Sequence, residues 1–235
     1  MGGDAEKALK AASRLDEVID TDFMKAAPIL QPVKVAPYFT HVLFSSPDTI
    51  LAIPDPGSDF TLVQAMWHYA RSVAFSRKKD FAASEKEIAA MAKIESTTDY
   101  KAFSDWGIPA KEIIDTAMLV AKGRLAEGRG DLAAAARAYE DAIFVEDSLS
   151  YTEPPYWYYP IRQSLGSVLL RQGKLDEAEK AFRESLARVR NNGWSLYGLT
   201  KVYEKRGDKK SLAAAKAKYD RAWFGPKAGP DLSSL

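Results

Sequence analysis

The chain has 235 residues, 46% apolar and 28% charged, and its 33 basic and 32 acidic side chains leave a net charge of +1. These proportions belong to a folded globular chain and exclude disorder, and the balanced charge argues against a duplex-binding protein, which carries a net basic footprint. No cysteine is present, which excludes disulfides, thiolate metal sites and cysteine nucleophiles.

From the N-terminus, "DAEKALKAASRLDEVIDTDFMKAA" (4–27) predicts one amphipathic helix with Leu9, Ala12, Leu15 and Ile19 on or near one face. Its acids gather late, which a lone helix dipole disfavours, so it reads as the second helix of a pair whose first helix lies upstream. The Met-Gly-Gly start reads as an added beginning on a shortened chain. It has no signal-peptide core, and no apolar run approaches the roughly 18 residues of a membrane span. "PYFTHVLFSSPDTILAIPDPG" (37–57) predicts a shortened helix pair, broken by Pro47 and ended by Pro54, Pro56 and Gly57. "LVQAMWHYARSVAFSRKKDFAASEKEIAAMAKI" (62–94) predicts a full pair with Ser72 and Ser84 at the crossing and Ile88 beside them. "STTDYKAFSDWGIP" (96–109) is a polar and aromatic connection.

Three later stretches repeat one pattern: 121–143, 165–186 and 199–223. A small residue in the first helix recurs at Gly123, Gly166 and Thr200, spaced 43 and 34. The turn glycine recurs at Gly130, Gly173 and Gly207 with the same spacings. In the second helix, Ala135, Ala178 and Ala215 precede Tyr139, Phe182 and Tyr219, both series spaced 43 and 37. A 34-residue unit fits, with nine residues inserted before the second copy and three in the last turn. Two helices pack closely only where small side chains face each other, and each pair leaves an apolar face that a neighbouring pair must cover.

Leu165, Gly166, Gly173, Ala178 and Phe182 resemble the tetratricopeptide repeat, with its small residue in helix A, turn glycine, early alanine in helix B and aromatic four residues on. The stretches "MWHYARSVAF" (66–75), "DWGIP" (105–109), "YTEPPYWYYPIRQSLG" (151–166) and "NNGWSLYGL" (191–199) make the chain similar to the C-terminal half of a group of bacterial tetratricopeptide-repeat proteins. Lys79 and Ser45 depart from that pattern, which favours a turn glycine. The resemblance implies an all-α fold: a right-handed α–α superhelix, or solenoid of helical hairpins. It would form one domain over 1–235, with degenerate repeats at about 37–57 and 60–95, clearer ones at about 109–148, 156–190 and 193–224, and a tail at 225–235. It also implies an exported protein, periplasmic or secreted, and a concave face lined by the first helices of each pair.

On that face the register places Val120 and Arg124, then Gln163, Ser167 and Arg171, then Tyr197, Lys201 and Lys205. Cations in a row suit an acidic peptide or a free C-terminal carboxylate, and the competing reading is an ordinary solvated face. Charge reversal at Arg124, Arg171 and Lys201 is expected to abolish partner capture. The inserted "YTEPPYWYYP" (151–160) holds five aromatic rings. Pro154–Pro155 stops the preceding helix, and Pro160 fits only the first turn of the next. Either these rings seal the gap the insertion makes, or Tyr156, Trp157 and Tyr159 form a peptide platform, with Trp194 a further candidate for peptide binding. His41 and His68 are too few for a metal site, "GRGD" (128–131) is a turn, and no nucleotide or hydrolase motif occurs. The expectation is a non-catalytic protein- or peptide-binding scaffold needing no cofactor, with no nucleic-acid partner and no membrane insertion. The alternative is an accessory or small-molecule-binding domain using the aromatic insertion and His68.

Overall fold

The computed structural model describes residues 2–231 and Ser233, and among them it contains helices and no strand. The N-terminal part comprises α1 (Ala5–Val18), α2 (Thr21–Ala26), α3 (Gln31–Lys34), α4 (Ala36–Phe44) and α5 (Pro47–Leu51). Long helices then pack in consecutive pairs: α6 (Thr61–Arg77) on α7 (Phe81–Thr97) and, after the short α8 (Lys101–Asp105), α9 (Ala110–Arg129) on α10 (Leu132–Ser148). The last pairs are α11 (Arg162–Arg171) on α12 (Leu175–Arg188) and α13 (Gly193–Arg206) on α14 (Lys209–Ala222). Neighbouring pairs touch through α6 and α9, α7 and α9, α10 and α11, α12 and α13, and α11 and α13.

Each pair turns on one residue with left-handed backbone, where glycine meets no Cβ penalty. Gly130, Gly173 and Gly207 have φ of 80°, 79° and 73°. Lys79 takes the same place with φ 63°, so the chain keeps the turn where the sequence lacks its glycine. In three of these four turns the next residue caps the following helix: Asp80, Asp131 and Asp208 accept the N–H of Ala83, Ala134 and Ser211. Ser45 is different. It ends α4 in extended conformation, and Ser46 caps α5 with Pro47 in its first turn, so Pro47 starts a helix.

The single helix expected over 4–27 is two helices. Asp20 has extended backbone and caps α2 by accepting the N–H of Asp22, which breaks the run after Val18. The expected face holds, with Ala12 buried and Leu9, Leu15 and Ile19 half-buried, but α1 packs on α4, which follows it in the chain.

Three of the predicted crossings meet, those at Ser72, Gly123 and Gly166. Ser72 and Ser84 Oγ lie 3.0 Å apart, and Ser84 Oγ also donates to the Ser72 carbonyl. A Cβ on Gly123 would lie 2.5 Å from the Tyr139 ring, and one on Gly166 would lie 2.8 Å from Phe182. Phe182 is also gripped from the following pair, where a Cβ on Gly198 would lie 2.2 Å from its ring. The insertion lies at the junction of α10 and α11. Trp157 and Tyr159 are buried, and Tyr158 stacks on Phe39 of α4 at 4.3 Å between centroids. Trp157 meets Phe39 and Tyr69 edge-on, and the Tyr69 and Tyr158 hydroxyls lie 2.8 Å apart. Phe44 of α4 reaches Trp194 of α13, and the Gly2 carbonyl accepts the N–H of Phe224. The N-terminal helices therefore lie against both the insertion and the C-terminal pair.

Candidate functional site

The C-terminal ends of α6, α9 and α11 converge on a cleft of about 200 Å³ lined by Ser76, Arg77, Lys79, Arg124, Glu127 and Arg171, among others. Close approach of α6 and α9 sets its floor. Ser76 Oγ donates to the Arg124 carbonyl at 2.8 Å, and a Cβ on Gly128 would lie 2.6 Å from that same Oγ.

Arg124 is 8% exposed. Its Nη2 donates to Ser164 Oγ at 3.2 Å and to Tyr159 Oη at 3.4 Å, and its Nη1 reaches Glu127 Oε1 at 3.4 Å. Its Nε has no partner among the described residues. Glu127 is held more tightly by others: it accepts from the Tyr139 hydroxyl at 2.5 Å and from Arg171 Nη1. One carboxylate thus serves Arg171, Tyr139 and, distantly, Arg124. Arg77 donates from Nη2 to the Val42 carbonyl at 2.7 Å. Arg77 is exposed as a whole residue, but the protein around its guanidinium displaces water from it, and this with the nearby charge of Arg124 lowers its pKa below the ordinary arginine value. Among the described lining residues of the three helices and the turn after α6, the cations are Arg77, Lys79, Arg124 and Arg171 and the acid is Glu127. The charge balance of these lining side chains is positive.

Of the residues expected from sequence, Arg124 and Arg171 meet here, with Tyr159 behind Arg124. Along α13, Tyr197 packs on Tyr219, Lys201 pairs with Glu204 at 2.9 Å beside the Tyr197 ring, and Lys205 donates to the Leu170 carbonyl at 3.2 Å. Others lie in the interior, where they hold the fold and offer no surface. Trp157 and Trp194 are both 4% exposed, and Gln163 is fully buried with its Oε1 accepting from Asn192 Nδ2 at 2.8 Å. Val120 and Ser167 are buried too, and Tyr156 is half-buried against the core. Tyr151 alone of the inserted rings stands fully out, at 84% exposed.

Sequence reasoning missed Arg77, Lys79 and Glu127. A signal existed for the first: Arg77 follows Ser72 by five positions, as Arg171 follows Gly166 and Lys205 follows Thr200. His68 is apart from the cleft. Its Nδ1 lies 2.6 Å from Glu87 Oε2, and Arg71 Nε donates to the other oxygen at 2.8 Å. Burial raises the Glu87 pKa, but hydrogen bonds from His68 and Arg71 outweigh it and the net shift is downward. No group of metal-ligating side chains occurs among the described residues.

A second cavity, about 590 Å³, lies between α1, α4 and α13, with Phe39, Leu43, Phe44, Tyr158, Trp194 and Phe224 in its walls. No family model, curated protein or solved structure matches this chain.

Proposed function

We propose that the helix pairs form a right-handed solenoid of the tetratricopeptide kind, and that the chain is a non-catalytic scaffold for an acidic, extended protein segment. The segment runs over α13, α11, α9 and α6 and places a carboxylate among Arg77, Arg124 and Arg171. The left-handed turns and small-residue crossings at repeat spacing support the architecture. The cationic excess of the cleft supports the ligand class: four basic side chains line it, and its one carboxylate on these elements is already bonded to Arg171 and Tyr139. The buried aromatic insertion supports the packing role for Trp157 and Tyr159.

The test is fluorescence anisotropy with labelled, flexible peptides that carry one aspartate, against the same peptides carrying asparagine. Acidic peptides bind at least tenfold more tightly, and Arg171→Glu with Lys79→Glu removes the difference. Both are partly exposed, so the fold survives reversal better there than at buried Arg124. Equal binding of acidic and amide peptides rules the reading out. A second reading, a site for a small apolar molecule, is supported by the cavity beside Tyr158. On that reading Leu43→Trp, which fills the cavity, abolishes one-to-one binding of an apolar fluorescent dye and leaves acidic-peptide binding unchanged.

A further inference from the structure

The segment after α14 does not run away from the molecule. Trp223 Nε1 donates to the Pro226 carbonyl at 2.8 Å, and the N–H of Gly229 bonds to the same carbonyl at 2.9 Å, which folds 226–229 into a turn. Gly229 has φ +79°, and a Cβ there would lie 2.5 Å from the Tyr197 ring. Two residues on, Asp231 is close enough for its charge to act on Arg77. The Ser233 carbonyl accepts from Arg124 Nη1 at 3.4 Å, and Ser233 joins the cleft wall. The segment thus passes from Tyr197 on α13 to Arg124 on α9 and Arg77 on α6, across the helix face assigned above to a partner.

We propose that residues 226–231 with Ser233 are an intramolecular occupant of the cationic cleft, and that a partner binds by displacing them with a segment of the same chemistry: extended, rich in small residues and carrying an acid at the place of Asp231. This rests on the reading of the cleft as an acidic-segment site and adds its regulation. Three features carry it. The occupant's glycine fits where a side chain would strike Tyr197. Its acid enters a region where basic groups outnumber acidic ones. Its backbone carbonyl meets a buried arginine whose other bonds are long. A tethered segment competes at an effective concentration on the order of millimolar, so a free peptide of equal intrinsic affinity binds the intact chain poorly.

The experiment uses the full chain and a fluorescein-labelled, amidated peptide of sequence GPKAGPDLSSL, that of residues 225–235. The variant Gly229→Leu with Asp231→Lys removes the left-handed glycine and reverses the charge, without touching any helix. Anisotropy is expected to show the peptide binding the variant at least tenfold more tightly than the unaltered chain. Replacing the peptide's aspartate by asparagine, or adding Arg171→Glu to the variant, reverses that gain. Equal binding to the variant and the unaltered chain overturns the inference. If the single-aspartate peptides of the preceding section still bind through Arg171 in that case, only the tail's role fails. If they do not, the cleft reading fails as well.

Discussion

Phe182 lies between two glycines from different helices, and Gly198→Ala tests whether that contact holds adjacent pairs together. The added Cβ would fall 2.2, 2.4 and 2.6 Å from three atoms of the Phe182 ring. Ordinary contact requires a displacement of about 1 Å or more, since interiors pack without slack. The ring is fully buried, and Gly166 of α11 also approaches it so closely that a Cβ there would lie 2.8 Å away, so it has little room to move. Overpacking of this kind costs about 1–3 kcal/mol. Against it, alanine in a helix interior gains about 1 kcal/mol over glycine. The expected net loss is therefore up to about 2 kcal/mol, read as a lower urea midpoint with unchanged m-value. In a Phe182→Leu background the smaller side chain leaves room, and Gly198→Ala becomes neutral or stabilising. The coupling between the two changes is then the relieved overpacking, about 1–3 kcal/mol, within the range for residues in contact. A rise in midpoint for Gly198→Ala in the unaltered background would refute the close approach.

Lys79→Gly relieves a left-handed lysine and is expected to stabilise the fold by about 1 kcal/mol, while weakening acidic-peptide binding because a cation leaves the cleft; thermal melts and anisotropy read the two effects separately. Asn192 is buried, caps α13 by accepting the N–H of Trp194, and donates to Gln163; Asn192→Ala should lower stability by about 2–4 kcal/mol through the lost cap and an orphaned buried amide, measured by urea unfolding. Burial raises the carboxyl of Glu146 from 4.5 to about 7, against the pull of Arg188, the Ile161 N–H and Arg162. The folded state therefore holds the proton more tightly than the unfolded chain. This group's contribution is complete below about pH 4.5 and disappears as pH rises through about 7, a change of about 3 kcal/mol. Glu146→Gln should flatten the fall in stability over that window, and an unchanged slope would contradict the burial argument.

The repeat register in the sequence locates the turns, the facing pairs Gly123–Tyr139 and Gly166–Phe182, and the cations Arg124 and Arg171, because these depend on spacing along single helices. Gly198 escaped that register, which aligned Thr200, because its partner Phe182 lies in the previous pair and the contact belongs to stacking. The burial of Val120, Gln163 and Trp194 was not legible for a related reason. A periodic pattern says which side of a helix is polar or small, but not which distant segment settles on it. Here α4, the aromatic insertion and residues 226–231 with Ser233 come from far along the chain to lie on helix faces. Ser164 and Gln163 are polar by type, yet both are buried at the junction the insertion creates. The break at Asp20 was readable, since Asp preceding Thr-Asp is a capping signal, but the apolar periodicity over 4–27 ran through it.

The contact between Gly229 and the Tyr197 ring bears most directly on the claim that this helix face is a cationic surface suited to an acidic segment. Nuclear Overhauser effects in the isotopically labelled full chain should connect the Gly229 α-protons to the Tyr197 ring at moderate salt. They should fade in Arg171→Glu and Asp231→Lys, as the charges that hold the segment are reversed. Random-coil shifts and no such effect for residues 226–231 in the unaltered chain, or effects that persist through both reversals, would contradict the account.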